Sequence, residues 1–199
     1  MPRALAVVAH PDDETIWMGG TMLMHAGWKW AVLSLCRKDD ADRAPRFAAA
    51  CKLFGAKCAM SDLDDENIEK PLPTSQVKSR IKKMLLQKKL PRAYDFIFTH
   101  GANGEYGHKR HKEVARAVVE MVRTGDLKCK ELWRFSYSRV EKPFMCVPKR
   151  GAPKKIALAA REARMKKYLI TDVYSFSEAS FEARSCSDAE TFDVEMKKR

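Results

Sequence analysis

Five consecutive residues, His10-Pro11-Asp12-Asp13-Glu14, place one imidazole and three carboxylates on a proline-containing turn directly after the first apolar run of the chain. So much charge beside a buried strand is costly without a counter-charge, and a metal cation is the natural partner. The acids also begin a helix-like segment, where the positive end of the helix dipole favours carboxylates by itself. About a hundred residues later the chain reads Asn103-Gly104-Glu105-Tyr106-Gly107-His108-Lys109-Arg110-His111, again just past an apolar run. His108 and His111 stand three apart at a helix start, so both face the same way. His10, Asp13 and His111 then supply two imidazoles and one carboxylate, the ligand count of an open catalytic zinc site. Such a metal lowers the pKa of a coordinated water to about 7. Asp12 is the candidate general base. His108 is the candidate for protonating the leaving group or holding the oxyanion, with the Tyr106 hydroxyl beside it. The chemistry expected is metal-assisted hydrolysis, with amide, ester and phosphoester all open.

The elements that must position these residues follow from hydropathy. Short apolar runs at 4–9, 30–36, 57–60, 94–99 and 132–137 alternate with helix-like segments at 13–26, 44–54, 75–89 and 111–123. That alternation predicts βα units and a Rossmann-like, doubly wound, mostly parallel sheet flanked by helices. In the third helix Val77, Ile81, Met84 and Leu85 form one stripe at helical spacing, with lysines around the remainder. Gly55 and Gly125 follow helices as left-handed caps. In the usual 3-2-1-4-5 order the first and fourth strands are neighbours, and their carboxyl ends share one edge at the switch point. Topology therefore predicts that the two distant motifs meet. Beyond Tyr137 the pattern weakens. Pro143, Pro148, Gly151 and Pro153 mark a loop or β excursion before a helix at 155–169. The expectation is a single domain over 1–199, with a core at about 3–138 and a short basic C-terminal extension at 139–199.

The strings AHPDDE (Ala9 to Glu14) and NGEYGHxxH (Asn103 to His111), each after a strand, resemble the PIG-L (LmbE-like) family of zinc-dependent N-acetylglucosaminyl de-N-acetylases. The resemblance covers roughly residues 3 to 125 and fades beyond. It implies a Rossmann-like fold, one zinc held by His10, Asp13 and His111 (or another divalent metal in its place), Asp12 as base, and His108 and Tyr106 as transition-state helpers. It further implies Arg43 as a sugar contact, twelve residues before Gly55, and an acidic sugar contact after the third strand, best matched by Asp65 among Asp62, Asp64 and Asp65. Two positions depart from the family pattern: Arg46 stands where glutamate is usual, and Arg110 replaces the aspartate of GHPDH. The second removes a partner from His108 and is expected to lower its pKa through like charge.

Charge and cysteine usage bound the remaining classes. The 199 residues carry 38 Lys and Arg against 26 Asp and Glu, a net +12 and a pI near 9.5. No aromatic-interleaved basic motif accompanies this excess, so nucleic acid is not the expected partner and solvated basic faces account for the charge. The densest stretch, 139–167, holds ten basic and two acidic residues and reads as such a surface. Six cysteines without a CxxC pair fit a reducing cytoplasm. The apolar run Ala4 to Ala9 is far below the ~20 residues of a membrane span. The partner expected is a small N-acetylated sugar-type molecule, with oligomeric state undetermined. Two rivals keep the same residues: a non-haem iron oxygenase using the His/Asp/His triad, which the βα alternation disfavours, and a basic polyanion-binding module with a vestigial metal site. Among other residues, His25 reads as a helix C-terminal partner, His100 as either support for the metal ligands or packing, Gly19 and Gly20 as close helix-sheet approach, and Cys51 as a buried inert thiol.

Overall fold

Nine strands and six α-helices run through the chain in a computed structural model that describes residues 1–196. In order they are β1 (Arg3–Val8), α1 (Asp13–Met24), β2 (Lys29–Ser34), α2 (Arg43–Leu53), β3 (Lys57–Met60), α3 (Thr74–Gln87), β4 (Phe96–Thr99) and α4 (Lys109–Thr124). There follow β5 (Glu131–Phe135), β6 (Tyr137–Val140), β7 (Met145–Pro148), β8 (Lys154–Ala157), α5 (Ala160–Tyr168), a π-helical turn Leu169–Val173, α6 (Phe181–Ser185) and β9 (Ala189–Met196). The main sheet has the order β3-β2-β1-β4-β5-β9-β8, and β6-β7 form a separate hairpin. The first five strands are parallel, while β9 lies antiparallel to β5 and β8 antiparallel to β9. The fold is thus the mixed, mostly parallel α/β architecture that the alternation predicts.

Side chains on β1 alternate between two buried layers, as a strand covered on both faces must. Ala4, Ala6 and Val8 pack with Ile16, Trp17, Phe47 and Phe192 on the face of α1 and α2. Leu5 and Val7 pack with Val77, Ile81 and Val118 on the face of α3 and α4. Burying a Val, Leu, Ile or Phe side chain contributes roughly 1.5–3 kcal/mol, which holds β1 inside the sheet between β2 and β4. Gly55 and Gly125 adopt φ of 65° and 81°, the left-handed caps expected of them.

The C-terminal region differs from its sequence reading. The expected helix at 155–169 is split: Lys154–Ala157 is a strand, and the helix starts only at Ala160. Through β8 and β9 this region joins the main sheet instead of trailing from it, and residues 197–199 lie outside the described part. Lys166, inside the stretch read as solvated, is 1% exposed and pairs with the buried Glu190 at 2.8 Å. The same carboxylate accepts the backbone N–H groups of Gly20 (2.8 Å) and Thr21 (2.7 Å), pinning the middle of α1 to β9. Of the two glycines of α1, Gly20 serves a close approach, because a Cβ there would collide with the side chain of Leu158, whereas a Cβ on Gly19 would make only ordinary contacts. No helix among the described residues is long and apolar enough to cross a membrane.

Candidate metal centre and cleft

Strand β1 pairs on one side with β2 and on the other with β4, Val7 opposite Thr99. The chain therefore leaves β1 and β4 side by side at the carboxyl edge, and the two motifs meet there. His10 Nδ1 lies 3.1 Å from His111 Nε2, and Asp13 carboxylate oxygens lie 3.4 Å from each of those nitrogens. The outer nitrogens face carboxylates: His10 Nε2 is 2.9 Å from Asp65 Oδ1, and His111 Nδ1 is 2.5 Å from Glu105 Oε2. An ionised carboxylate only accepts, so each outer nitrogen carries the proton and each neutral ring turns a lone pair inward.

The two inward nitrogens, 3.1 Å apart, and the Asp13 carboxylate, whose Oδ2 lies 3.4 Å from His10 and Oδ1 3.4 Å from His111, repel unless they share a cation. Donors at 2.0–2.1 Å from a tetrahedral zinc stand about 3.3 Å from one another, so this donor set fits a small divalent ion. Without metal a proton does the same work: against burial, Asp13 and Asp65 raise the pKa of His10 to about 10. Burial pushes Asp13 upward, but His111, His100 and His10 outweigh it and hold the carboxyl well below the usual range. For Glu105 the same contest with burial is won by His100 and His111, and its pKa falls to about 2.

Asp12 caps α1 through its carbonyl, which accepts from Thr15 and Ile16. Its φ of 112° is unfavourable for a residue with a side chain and costs about 1–3 kcal/mol. Burial and the adjacent Asp13 charge raise its carboxyl above the usual range, while His10 and Arg43 pull the other way. Arg43 Nη1 lies 3.3 Å from Asp12 Oδ2, and its guanidinium sits 4.1 Å above the Phe176 ring. The His108 ring stands 4.7 Å from His10 and 4.6 Å from His111, with its buried Nδ1 unpaired among the described residues. Burial, then His111 and His10, push its pKa down to about 3. Tyr106 packs 5.6 Å from His108, and burial raises its hydroxyl so that it remains a donor. A cleft of about 120 Å³ connects Asp12, Asp13, His10, His108, Tyr106 and Arg43. Taking ~30 Å³ per water, that is roughly four waters, enough for a small acyl group.

All eight residues singled out from the sequence therefore gather here, with His111 on the floor and Asp65 behind His10. Asp65 is also engaged by Arg37 at 3.2 Å, and its pKa is about 2 because His10 and Arg37 outweigh burial. His100 lies beside this group: its Nε2 accepts from Ala9 N–H at 2.9 Å and its Nδ1 lies 2.9 Å from Glu105, whose carboxylate also reaches His111 and so bridges two imidazoles. Arg110 corrects the sequence reading. It is 1% exposed and turned away from His108, donating to the carbonyls of Asp64 (2.5 Å), Asn67 (3.0 Å) and Lys70 (3.2 Å) and to Glu113 (2.8 Å). Burial between the histidines, not like charge from Arg110, lowers His108. Arg46 is bound to Asp42, Val173 and Ser175. His25 is the C-cap of α1, its ring stacked 4.2 Å from Trp28.

Sequence reasoning gave no role to Glu105, Glu14 or Tyr174. Glu105 was visible as an acid enclosed between glycines inside the second motif. Glu14, fully buried, accepts from Thr15 (2.6 Å), Tyr174 (2.7 Å) and the Asp12 N–H (3.1 Å), and burial raises it to about 7. Nothing in the local pattern around Tyr174 announces that contact, nor that Phe181 and Glu182 line the cleft.

The fold and the site together define a doubly wound α/β protein with an Asp/His/His constellation at the switch point. The family model of PIG-L, GlcNAc-PI de-N-acetylase, matches residues 5–122, more than half of the chain, and the chain belongs to that family. The uncharacterized protein L374 of Acanthamoeba polyphaga mimivirus is 24% identical over 131 residues, covering 59% of this chain and 56% of L374. The chain thus spans just over half the length of that curated relative. The 4-carboxy-2-hydroxymuconate hydratase GalB of Pseudomonas putida KT2440 superposes with a TM-score of 0.72 at 15% identity, covering 100% of this chain and 98% of GalB. The N,N'-diacetylchitobiose deacetylase of Pyrococcus horikoshii also gives 0.72 at 15% identity, covering 98% of this chain and 84% of that one. At such identities the likeness establishes the fold, which hosts a hydratase as well as a deacetylase; the reaction has to be read from the site.

Proposed function

We propose that the chain is a zinc-dependent de-N-acetylase, with one metal per chain, acting in the cytoplasm on an N-acetylglucosaminyl or related small N-acetylated substrate. The observation that carries this reading is the inward triangle of His10, Asp13 and His111 with the Asp12 carboxyl beside it on the same cleft. Membership of a de-N-acetylase family supports amide hydrolysis over the ester and phosphoester alternatives. Six cysteines without a CxxC pair accord with a reducing compartment.

The bound metal would supply Lewis acidity, acidifying a water and polarising the acetyl carbonyl. Asp12 removes a proton from the attacking water and returns it to the leaving amine. Tyr106, as a protonated phenol, and His108, as a neutral imidazole, donate hydrogen bonds to the oxyanion of the tetrahedral intermediate. The C–N bond then breaks, giving acetate and a free amine. Arg43 on the cleft wall is the sugar contact, and Asp65 combines a sugar contact with orienting His10.

The test is zinc stoichiometry by elemental analysis in the native chain, His10→Ala and His111→Ala, followed by acetate release from N-acetylated amino sugars. One tight zinc, lost in both variants, together with acetate release is the expected result. Binding indifferent to both histidines removes the metal reading. Iron-dependent oxygen consumption in place of acetate release moves the same triad to an oxygenase, and steeply salt-dependent binding of a polyanion without turnover moves it to a binding module.

A further inference from the structure

Beyond the family-matched residues, the chain from Val173 to Phe176 touches the surroundings of Asp12 at two points. The Tyr174 hydroxyl donates to Glu14 Oε1 at 2.7 Å, and Glu14 Oε2 accepts the backbone N–H of Asp12 at 3.1 Å. The Phe176 ring lies 4.1 Å under the guanidinium of Arg43, whose Nη1 reaches the Asp12 carboxylate at 3.3 Å. One contact thus ends on the backbone of Asp12 and the other on its side chain. Asp12 is held at a φ of 112°, a conformation that persists only where the surroundings over-determine it.

The segment is itself tied down. Arg46 Nη1 donates to the Val173 carbonyl at 3.1 Å and to Ser175 Oγ at 2.5 Å, while its Nε holds Asp42 at 2.7 Å. The Tyr174 and Phe176 N–H groups donate to the carbonyls of Leu169 (2.9 Å) and Ile170 (3.1 Å). Ser175 takes a φ of 58°, the left-handed turn that lets Tyr174 and Phe176 reach two different partners. Tyr174 is 2% exposed, so a phenylalanine would fill the same space. What the hydroxyl adds is the bond to Glu14.

We propose that Val173–Phe176 is a strap that fixes both the backbone and the carboxylate of Asp12, with Tyr174, Phe176 and Glu14 as positioning residues and Arg46 as its anchor. Its effect on turnover rests on reading Asp12 as the general base. The strap holds the base aimed at the attacking water, and it gives the arginine at position 46 a task unconnected with sugar recognition. Misplacing a reacting group by an ångström costs on the order of 100-fold in rate.

Tyr174→Phe is the direct test, because it deletes one bond and keeps the packing. The expected result is one zinc per chain, a KM within about twofold of the native value and a kcat lowered about 10- to 100-fold. In parallel the amide resonance of Asp12 should shift upfield in the isotope-labelled, zinc-loaded variant. Arg46→Met, whose hydrogen bonds run to Asp42, Val173 and Ser175 and to no residue lining the cleft, should act in the same direction with a smaller kcat loss, and it serves if Tyr174→Phe does not fold. A fall in melting temperature with kcat per zinc-loaded molecule unchanged in both variants overturns the strap. An unmoved Asp12 amide does so as well. If the native chain releases no acetate from any N-acetylated sugar the functional reading fails, and the amide shift still decides the strap.

Discussion

The chain up to His111 and the chain beyond Tyr137 build the same cleft with different kinds of interaction. The first supplies His10, Asp12, Asp13, Arg43, Tyr106 and His108 to its lining, with the buried His111 against His10 and His108, all on loops or first turns at the carboxyl edge of the sheet. Among the described residues the second supplies Phe181 and Glu182 to the lining, and it holds the first in place: Tyr174 on Glu14, Phe176 on Arg43, and Glu190 on the middle of α1. The candidate reactive groups therefore come mainly from two short motifs, whereas these late contacts reach them across more than a hundred residues. Substitutions in the two regions should consequently fail in different ways, the first losing rate with stability kept, the second losing stability or aim.

The largest effect expected is from Asp12→Ala, which should lower kcat about 10²–10⁴-fold while the chain keeps its zinc and its melting temperature. Near-native turnover would show that another group is the base. Next comes Glu190→Gln on the far side of the comparison. It leaves Lys166 charged and buried, so the loss should be about 3 kcal/mol of stability, read by denaturant unfolding. The double variant Lys166→Met with Glu190→Gln should recover part of that loss, and no recovery would show that the bonds to Gly20 and Thr21 carry the whole effect.

Asp65→Ala sharpens the boundary between the two kinds of residue. Because Asp65 fixes the outer nitrogen of His10, zinc affinity measured by chelator competition should fall about 10–100-fold, as for other partners of ligating histidines. A raised KM with zinc affinity unchanged would instead make Asp65 a substrate contact alone.

Particular residues show how far local pattern reaches. The first five strands, the order 3-2-1-4-5 and the meeting of the two motifs follow from alternation and topology, because a parallel sheet brings every carboxyl end to one edge. The region after Tyr137 resisted because β8 is four residues long with mostly exposed side chains, and its pairing with β9 depends on a partner over thirty residues away. Arg110 departs from the sequence expectation for a related reason. Its neighbours in sequence suggested a charge beside His108, whereas the carbonyls of Asp64, Asn67 and Lys70 drew the guanidinium to the opposite side.

What the sequence by itself determined is the set of reactive groups and the scaffold that presents them, since both are written in short-range order: residue type, period and spacing. Only the tertiary structure decided which lone pairs face inward, that Asp65 and Glu105 stand behind the histidines, and that a late segment steadies Asp12. Those outcomes depend on which distant groups satisfy a buried polar atom, and the need to pair such atoms is met wherever the fold brings a partner, not where the sequence lies near.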